Sequence, residues 1–190
     1  YSDSKVSLTG NGAIKFDNNT ATTGAGGAIR GVREITITDN AGNIEFKGNT
    51  AGTSGGAIYN KSTLDYYKQQ GVRINRNTGN ISFTGNKAGT NGGAIDMGQM
   101  GGLELLDNTG SITFSDNTAA GIGGAIYTSC GEGVLIENNT GDVTFRNNRA
   151  GSKAGAIYSG AYPNEVGLSI RNNGNVLFEK NAVVDDSGNY

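Results

Sequence analysis

The chain has 190 residues, among them 33 glycines, one proline, one cysteine and no histidine or tryptophan, and its 15 basic and 17 acidic residues leave a formal net charge of −2. Glycine stands at more than twice its usual share of about 7%, yet it does not recur every third residue, which excludes collagen, and regularly spaced aromatic and β-branched residues argue against disorder. No basic stripe exists to neutralise phosphates, no run of about 18 apolar residues exists to cross a membrane as a helix, and the single cysteine, Cys130, precludes an intrachain disulfide.

Along the chain one unit recurs. All six phenylalanines, Phe16, Phe46, Phe83, Phe114, Phe145 and Phe178, are followed three residues later by an asparagine: Asn19, Asn49, Asn86, Asn117, Asn148 and Asn181. After each of the first five comes a small-residue block ending in Ala-Ile: Gly26-Gly27-Ala28-Ile29, Gly55-Gly56-Ala57-Ile58, Gly92-Gly93-Ala94-Ile95, Gly123-Gly124-Ala125-Ile126 and Ala154-Gly155-Ala156-Ile157. A fixed period of this kind predicts a stacked array in which each repeat contacts its neighbours, not a globule built round one cleft.

Each repeat reads as three short strands. The first alternates apolar and polar residues, as in Ile35-Thr36-Ile37, Val72-Arg73-Ile74, Leu103-Glu104-Leu105, Val134-Leu135-Ile136 and Leu168-Ser169-Ile170. The second is Ile-x-Phe or Val-x-Phe, and the third is the Gly-Gly-Ala-Ile block. Alternation turns the outer pair of each triplet inward. The intervening segments do not suit two-residue hairpins, so each strand is expected to pair with its counterpart one repeat later, parallel and in register. The fold class is therefore all-β, a right-handed parallel β-helix or solenoid of about six coils of three short strands, with residues 1–190 forming one domain. Right-handedness follows from the general rule for parallel crossovers. Leucine-rich repeats are set aside because their Leu-x-x-Leu-x-Leu run with an internal asparagine is missing.

Stacking predicts a column of phenylalanine rings. It also predicts two asparagine ladders, one made by the residues three after each Phe and one by Asn40, Asn77, Asn108, Asn139 and Asn173. The paired glycines are expected where φ is positive or where another coil's backbone comes too close for a Cβ. These residues specify the fold, not a site.

The alternation of Phe-x-x-Asn with Gly-Gly-Ala-Ile resembles the repeats of the chlamydial polymorphic outer-membrane proteins. Stretches such as Phe46-Lys47-Gly48-Asn49-Thr50-Ala51 leading into Gly55-Gly56-Ala57-Ile58-Tyr59 carry the likeness. The resemblance implies an autotransporter: a secreted β-helical passenger that adheres to host cells, followed by a C-terminal β-barrel in the outer membrane. The start at Tyr1, without a methionine or a leader, leads us to expect a piece of a longer protein. The chain also departs from many members of that family in having little cysteine.

Function is expected at the corner joining the third strand to the next first strand, because that connection varies in length. It is shortest after Ile29 and longest after Ile58. Six of the eight tyrosines lie in these connections: Tyr59, Tyr66, Tyr67, Tyr127, Tyr158 and Tyr162. Tyrosine offers a large, rigid, amphipathic contact and is enriched at binding surfaces. The candidate contact residues are Tyr59, Lys61, Asp65, Tyr66, Tyr67, Tyr158 and Tyr162, and the implied partner is a host-cell surface protein. Association into a homo-oligomer is left open.

Polysaccharide cleavage, a common task of parallel β-helices, would want two carboxylates about 5–9.5 Å apart. The outward series Thr36, Arg73, Glu104, Leu135, Ser169 and Lys15, Glu45, Ser82, Thr113, Thr144, Leu177 offer no such pair. Asp65 and Asp96 lie in adjacent connections and are read as solvated loop residues. The calcium-binding Gly-Gly-x-Gly-x-Asp repeat is missing. No catalysis, metal or cofactor is expected; a polysaccharide-degrading β-helix enzyme is the first alternative to an adhesin, and an inert structural stalk the second.

Overall fold

In the computed structural model, described here for residues 1–2, 4–61, 71–98, 101–129, 133–161 and 166–184, every named strand pairing is parallel. Strands from successive repeats form four sheets, three with six strands and one with five. The first sheet runs through Val6–Thr9, Ile35–Thr38, Gly71–Asn75, Gly102–Leu106, Val134–Glu137 and Leu168–Arg171, and the second through Ile14–Asp17, Ile44–Lys47, Ile81–Thr84, Ile112–Ser115, Val143–Arg146 and Val176–Glu179. The Ala-Ile strands, such as Ile58–Asn60 and Ile126–Thr128, make the five-stranded sheet. The molecule is thus an all-β solenoid of five complete coils and a partial sixth.

The three expected strands of each coil are present, and a fourth side joins them. Two-residue strands directly follow the ladder asparagines: Thr20–Ala21, Thr50–Ala51, Lys87–Ala88, Thr118–Ala119, Arg149–Ala150 and Ala182–Val183. The first-sheet series also begins one coil earlier than the triplets named above, at Val6–Thr9.

In-register stacking converts sequence alternation into columns. Phe46, Phe83, Phe114 and Phe145 are fully buried, and consecutive phenylalanine rings sit 4.7–4.9 Å apart and within 9° of parallel. That spacing is the inter-strand distance of a sheet, so the coil rise sets the ring geometry. Columns of isoleucine, valine and leucine from the first two sheets, and of alanine and isoleucine from the other two, fill the rest of the interior.

Both asparagine ladders form. In each, the main-chain N–H and Nδ2 of one asparagine donate to Oδ1 of its counterpart on the next coil, as for Asn86 to Asn117 at 3.0 and 2.9 Å. The same Nδ2 also donates backwards, Asn117 to the Phe83 carbonyl at 2.9 Å. The second ladder repeats this from Asn11 to Asn173. A left-handed residue precedes each rung, supplied by Asp39, Arg76, Asp107 and Asn138 in one ladder and by Asn18, Gly48, Gly85 and Asp116 in the other.

The glycine pair has two separate reasons. Gly92 has φ +62°, whereas a Cβ on Gly93 would lie 2.0 Å from the Gly124 carbonyl oxygen and 2.7 Å from the Thr118 nitrogen. Ala154 replaces the first glycine of its pair and still adopts φ 55°, so the first position tolerates a methyl at some strain. The second position has main chain of the next coil in the way.

Two substitutions separate these contributions. Phe114→Ala should lower unfolding free energy by about 3–5 kcal/mol, and Phe178→Ala by less, since that ring is 46% exposed. Asn117→Ala leaves the Asn86 main-chain N–H and one Nδ2 hydrogen without their acceptor, each costing about 1–3 kcal/mol, so a loss of about 2–6 kcal/mol is expected. Chemical denaturation of each variant measures both.

Candidate binding edge

The Ala-Ile strands place one residue per coil on the outside of the five-stranded sheet, immediately after the buried isoleucine. In register these are Arg30, Tyr59, Asp96, Tyr127 and Tyr158. The expected alignment of Tyr59, Tyr127 and Tyr158 along one edge follows from this pairing. All three are half-buried. Tyr127 and Tyr158 stack with centroids 5.4 Å apart and planes 16° from parallel.

Arg30 closes the edge at its leading end. Its guanidinium carbon lies 5.9 Å from the Tyr59 ring centroid and 5.0 Å from that of Tyr1. Tyr1 is brought there by a parallel bridge between Ser2 and Gly31, with Ser2 N–H donating to the Arg30 carbonyl at 3.0 Å. Tyr1 therefore joins the edge although it stands outside every repeat. Nothing in the periodicity marks it, because a one-residue bridge has no pattern of its own.

Asp96 corrects the expectation of a solvated loop residue. It is 2% exposed, in register between Tyr59 and Tyr127, and its carboxylate accepts the Gly98 N–H at 2.6 Å. Burial pushes its pKa up to about 6, against the opposing hydrogen bonds from Ser54 and Gly98. The same environment raises Tyr59, first through burial and then through the nearby Asp96 charge, with Arg30 pulling the other way. A carboxyl this inaccessible is poorly placed to attack a glycan.

Of the remaining candidates, Lys61 is exposed, with its N–H anchored on the Gly31 carbonyl at 2.8 Å. Asp65, Tyr66, Tyr67 and Tyr162 lie outside the described residues, as does Cys130. A second charged cluster sits on the outward face of the first sheet, where Arg73 joins Glu34 to Glu104 (2.8 Å to the latter) and Lys5 reaches Glu34 at 2.9 Å. Burial raises the Glu34 carboxyl, but the Lys5 hydrogen bond and the Arg73 charge outweigh it and hold it below the usual range. With its charges matched pairwise, this cluster ties adjacent coils together. Among the described residues, no group of three or more His, Cys, Asp or Glu could hold a metal ion.

Residues 43–61, 80–96, 111–129 and 142–160 match the model of the Chlamydia polymorphic membrane protein repeat. Four stretches of the chain are similar to that repeat. Each match begins just before an Ile-x-Phe or Val-x-Phe strand and ends at or just after an Ala-Ile strand, so the repeat supplies three of the four sides of a coil. A Chlamydia pneumoniae protein named "Probable outer membrane protein pmp6" is 45% identical over 58 residues, which is 30% of this chain and 4% of that protein. No solved structure matches the chain. The connections carrying Tyr66, Tyr67 and Tyr162 fall outside the matched repeats.

The Asp96 carboxyl makes stability depend on pH. Its folded pKa is raised, so its stabilising contribution is full below the unfolded value near 3.8 and is lost as pH rises through about 6. Asp96→Asn should therefore be more stable than the parent by roughly 2–3 kcal/mol above pH 7, with the gap closing below pH 4. Paired melting curves across that range give the result.

Proposed function

We propose that this chain is the surface-displayed segment of a bacterial outer-membrane protein and acts as an adhesin. It would bind a host-cell surface protein by non-catalytic contact along the tyrosine edge and the connections beside it. The observation that supports this most is the register that aligns Arg30, Tyr59, Asp96, Tyr127 and Tyr158 on one edge. Aromatic rings, a cation and anchored backbone are held there on a stiff scaffold, which lowers the entropic cost of binding. Lys61, Asp65, Tyr66, Tyr67 and Tyr162 would extend the contact into the longer connections.

The outer-membrane assignment rests on the repeat and on the name carried by the pmp6 relative. In this reading a C-terminal barrel elsewhere in the full protein anchors the solenoid, which projects from the cell surface.

The test is binding of the purified chain to cultured host cells. Replacing Tyr66 and Tyr67 with Ala should leave the melting temperature unchanged and weaken adhesion about tenfold or more, as expected for paired aromatic anchors. Undiminished adhesion would remove these two residues from the contact. No binding by the parent chain would favour an inert stalk, and release of shortened oligosaccharide from a glycan panel would favour an enzyme.

A further inference from the structure

The middle strand of the five-stranded sheet breaks the pattern of the edge. Where the strands on either side carry Tyr59 and Tyr127, it carries Asp96. It is also shorter, two residues in Ile95–Asp96 against three in Ile58–Asn60 and Ile126–Thr128. The chain leaves the sheet in a turn closed by the Asp96 carboxylate, which accepts the Gly98 N–H at 2.6 Å, with Gly98 at φ +58°. This turn touches both neighbouring coils. Met97 N–H donates to the Tyr127 carbonyl at 3.1 Å, and the Ser129 hydroxyl donates to the Gly98 carbonyl at 3.1 Å. On the other side, a Cβ on Gly98 would lie 3.1 Å from the Asn60 carbonyl oxygen and 3.6 Å from the Tyr59 hydroxyl oxygen.

The carboxyl inside this turn has no matching charge. It is 2% exposed, and among the described residues no lysine or arginine forms an ion pair with it. Tyr59 faces it from the strand before and Tyr127 from the strand after. The Ser54 hydroxyl, which also meets Thr90 at 2.8 Å, bonds to it from a third direction. Arg30 stands one coil further away, over the Tyr59 ring, and Lys61 passes Gly98 with its main chain while its side chain is exposed. Neutral donors replace only part of the water that a carboxylate loses on burial, so ionisation favours any state in which Asp96 reaches solvent. The strand itself resists opening, because Ile95 is fully buried and paired on both sides. The turn is held by far less.

We propose that the Asp96–Gly98 turn is a proton-operated latch on the tyrosine edge, closed between Tyr59 and Tyr127 when the carboxyl is protonated and opening locally, with the coil intact, when it is ionised. Its use rests on the adhesive reading: the edge is best preorganised for a partner in mildly acidic surroundings. Burial pushes the closed carboxyl up to about 6, against the ordinary 3.8 of an open one, which makes opening about tenfold more favourable at pH 7.5 than at pH 5.

Native-state hydrogen exchange of the 190-residue chain, corrected for the intrinsic effect of pH on exchange, tests this. The Met97 amide should exchange faster than the Phe114 amide, and its protection should fall about tenfold between pH 5 and pH 7.5. Asp96→Asn keeps an acceptor for Gly98 but cannot ionise, so its Met97 protection should be the same at both pH values. Asp96→Ser should behave likewise if the first variant fails to fold. Three results would each overturn the latch: Met97 exchanging no faster than Phe114, equal protection at both pH values in the parent, or an undiminished fall in the folded variant. Host-cell adhesion at the same two pH values separates this from the adhesive reading. A fall in Met97 protection without adhesion removes the adhesin and leaves the latch, whereas adhesion by a chain whose Met97 protection ignores pH removes the latch alone.

Discussion

Hydrogen bonding between equivalent residues of successive coils is the constraint from which the rest of this structure follows. A parallel strand must find its partner one repeat away, so its main-chain groups are satisfied only by another coil with the same shape. The corners pose the harder problem, since a chain that turns there leaves polar groups facing the interior. The asparagine ladders answer it with a side chain that has one oxygen able to accept two bonds and one nitrogen able to donate two. Every inner rung uses all four, as Asn86 does with Asn49, Asn117 and the Phe46 carbonyl. Aspartate could not donate and leucine could do neither.

Once the corners are fixed, the interior is a set of columns and the choice of residue within each is narrow. The phenylalanine column is the clearest case, because a ring stacked at the coil rise has the ring of the next coil as its contact surface. A smaller side chain would open a void in two directions. The outward positions have no such demand, and Lys15, Glu45, Ser82, Thr113, Thr144 and Leu177 occupy equivalent places on the second sheet. Stability is therefore carried inside and at the corners, leaving the exterior chemically free.

This division also explains what could be read from the amino-acid order. The rings, the ladders and the glycine pairs recur six or five times, so their shared environment was legible without coordinates. The two-residue strands carry no such signal: Thr-Ala, Lys-Ala or Arg-Ala follows five of the six rungs, but two residues show no visible alternation. Asp96 reads as a solvated loop residue for a related reason, although it is buried. Its position in the repeat is the tyrosine position, and only pairing with Tyr59 on one side and Tyr127 on the other encloses it. Tyr1 reached the edge through a single bridge that no periodic argument could anticipate.

The unequal coil lengths locate where variation is tolerated. Ladder partners are separated by 30 residues in one case and by 37 in another, yet the rungs keep the same geometry. The excess is absorbed almost wholly between the Ala-Ile strand and the next first-sheet strand, in residues 32–34, 61–70, 97–101, 129–133 and 160–167. Lengthening a connection costs little entropy beyond its closure, growing only with the logarithm of its length. The other corners have no such freedom, since a rung or a glycine pair sits in each. Insertions and their side chains are thus confined to the one corner that borders the tyrosine edge. A scaffold held so tightly everywhere else leaves that border as the place where one coil can differ most from the next, and the same physics that fixes the core fixes where the variation can sit.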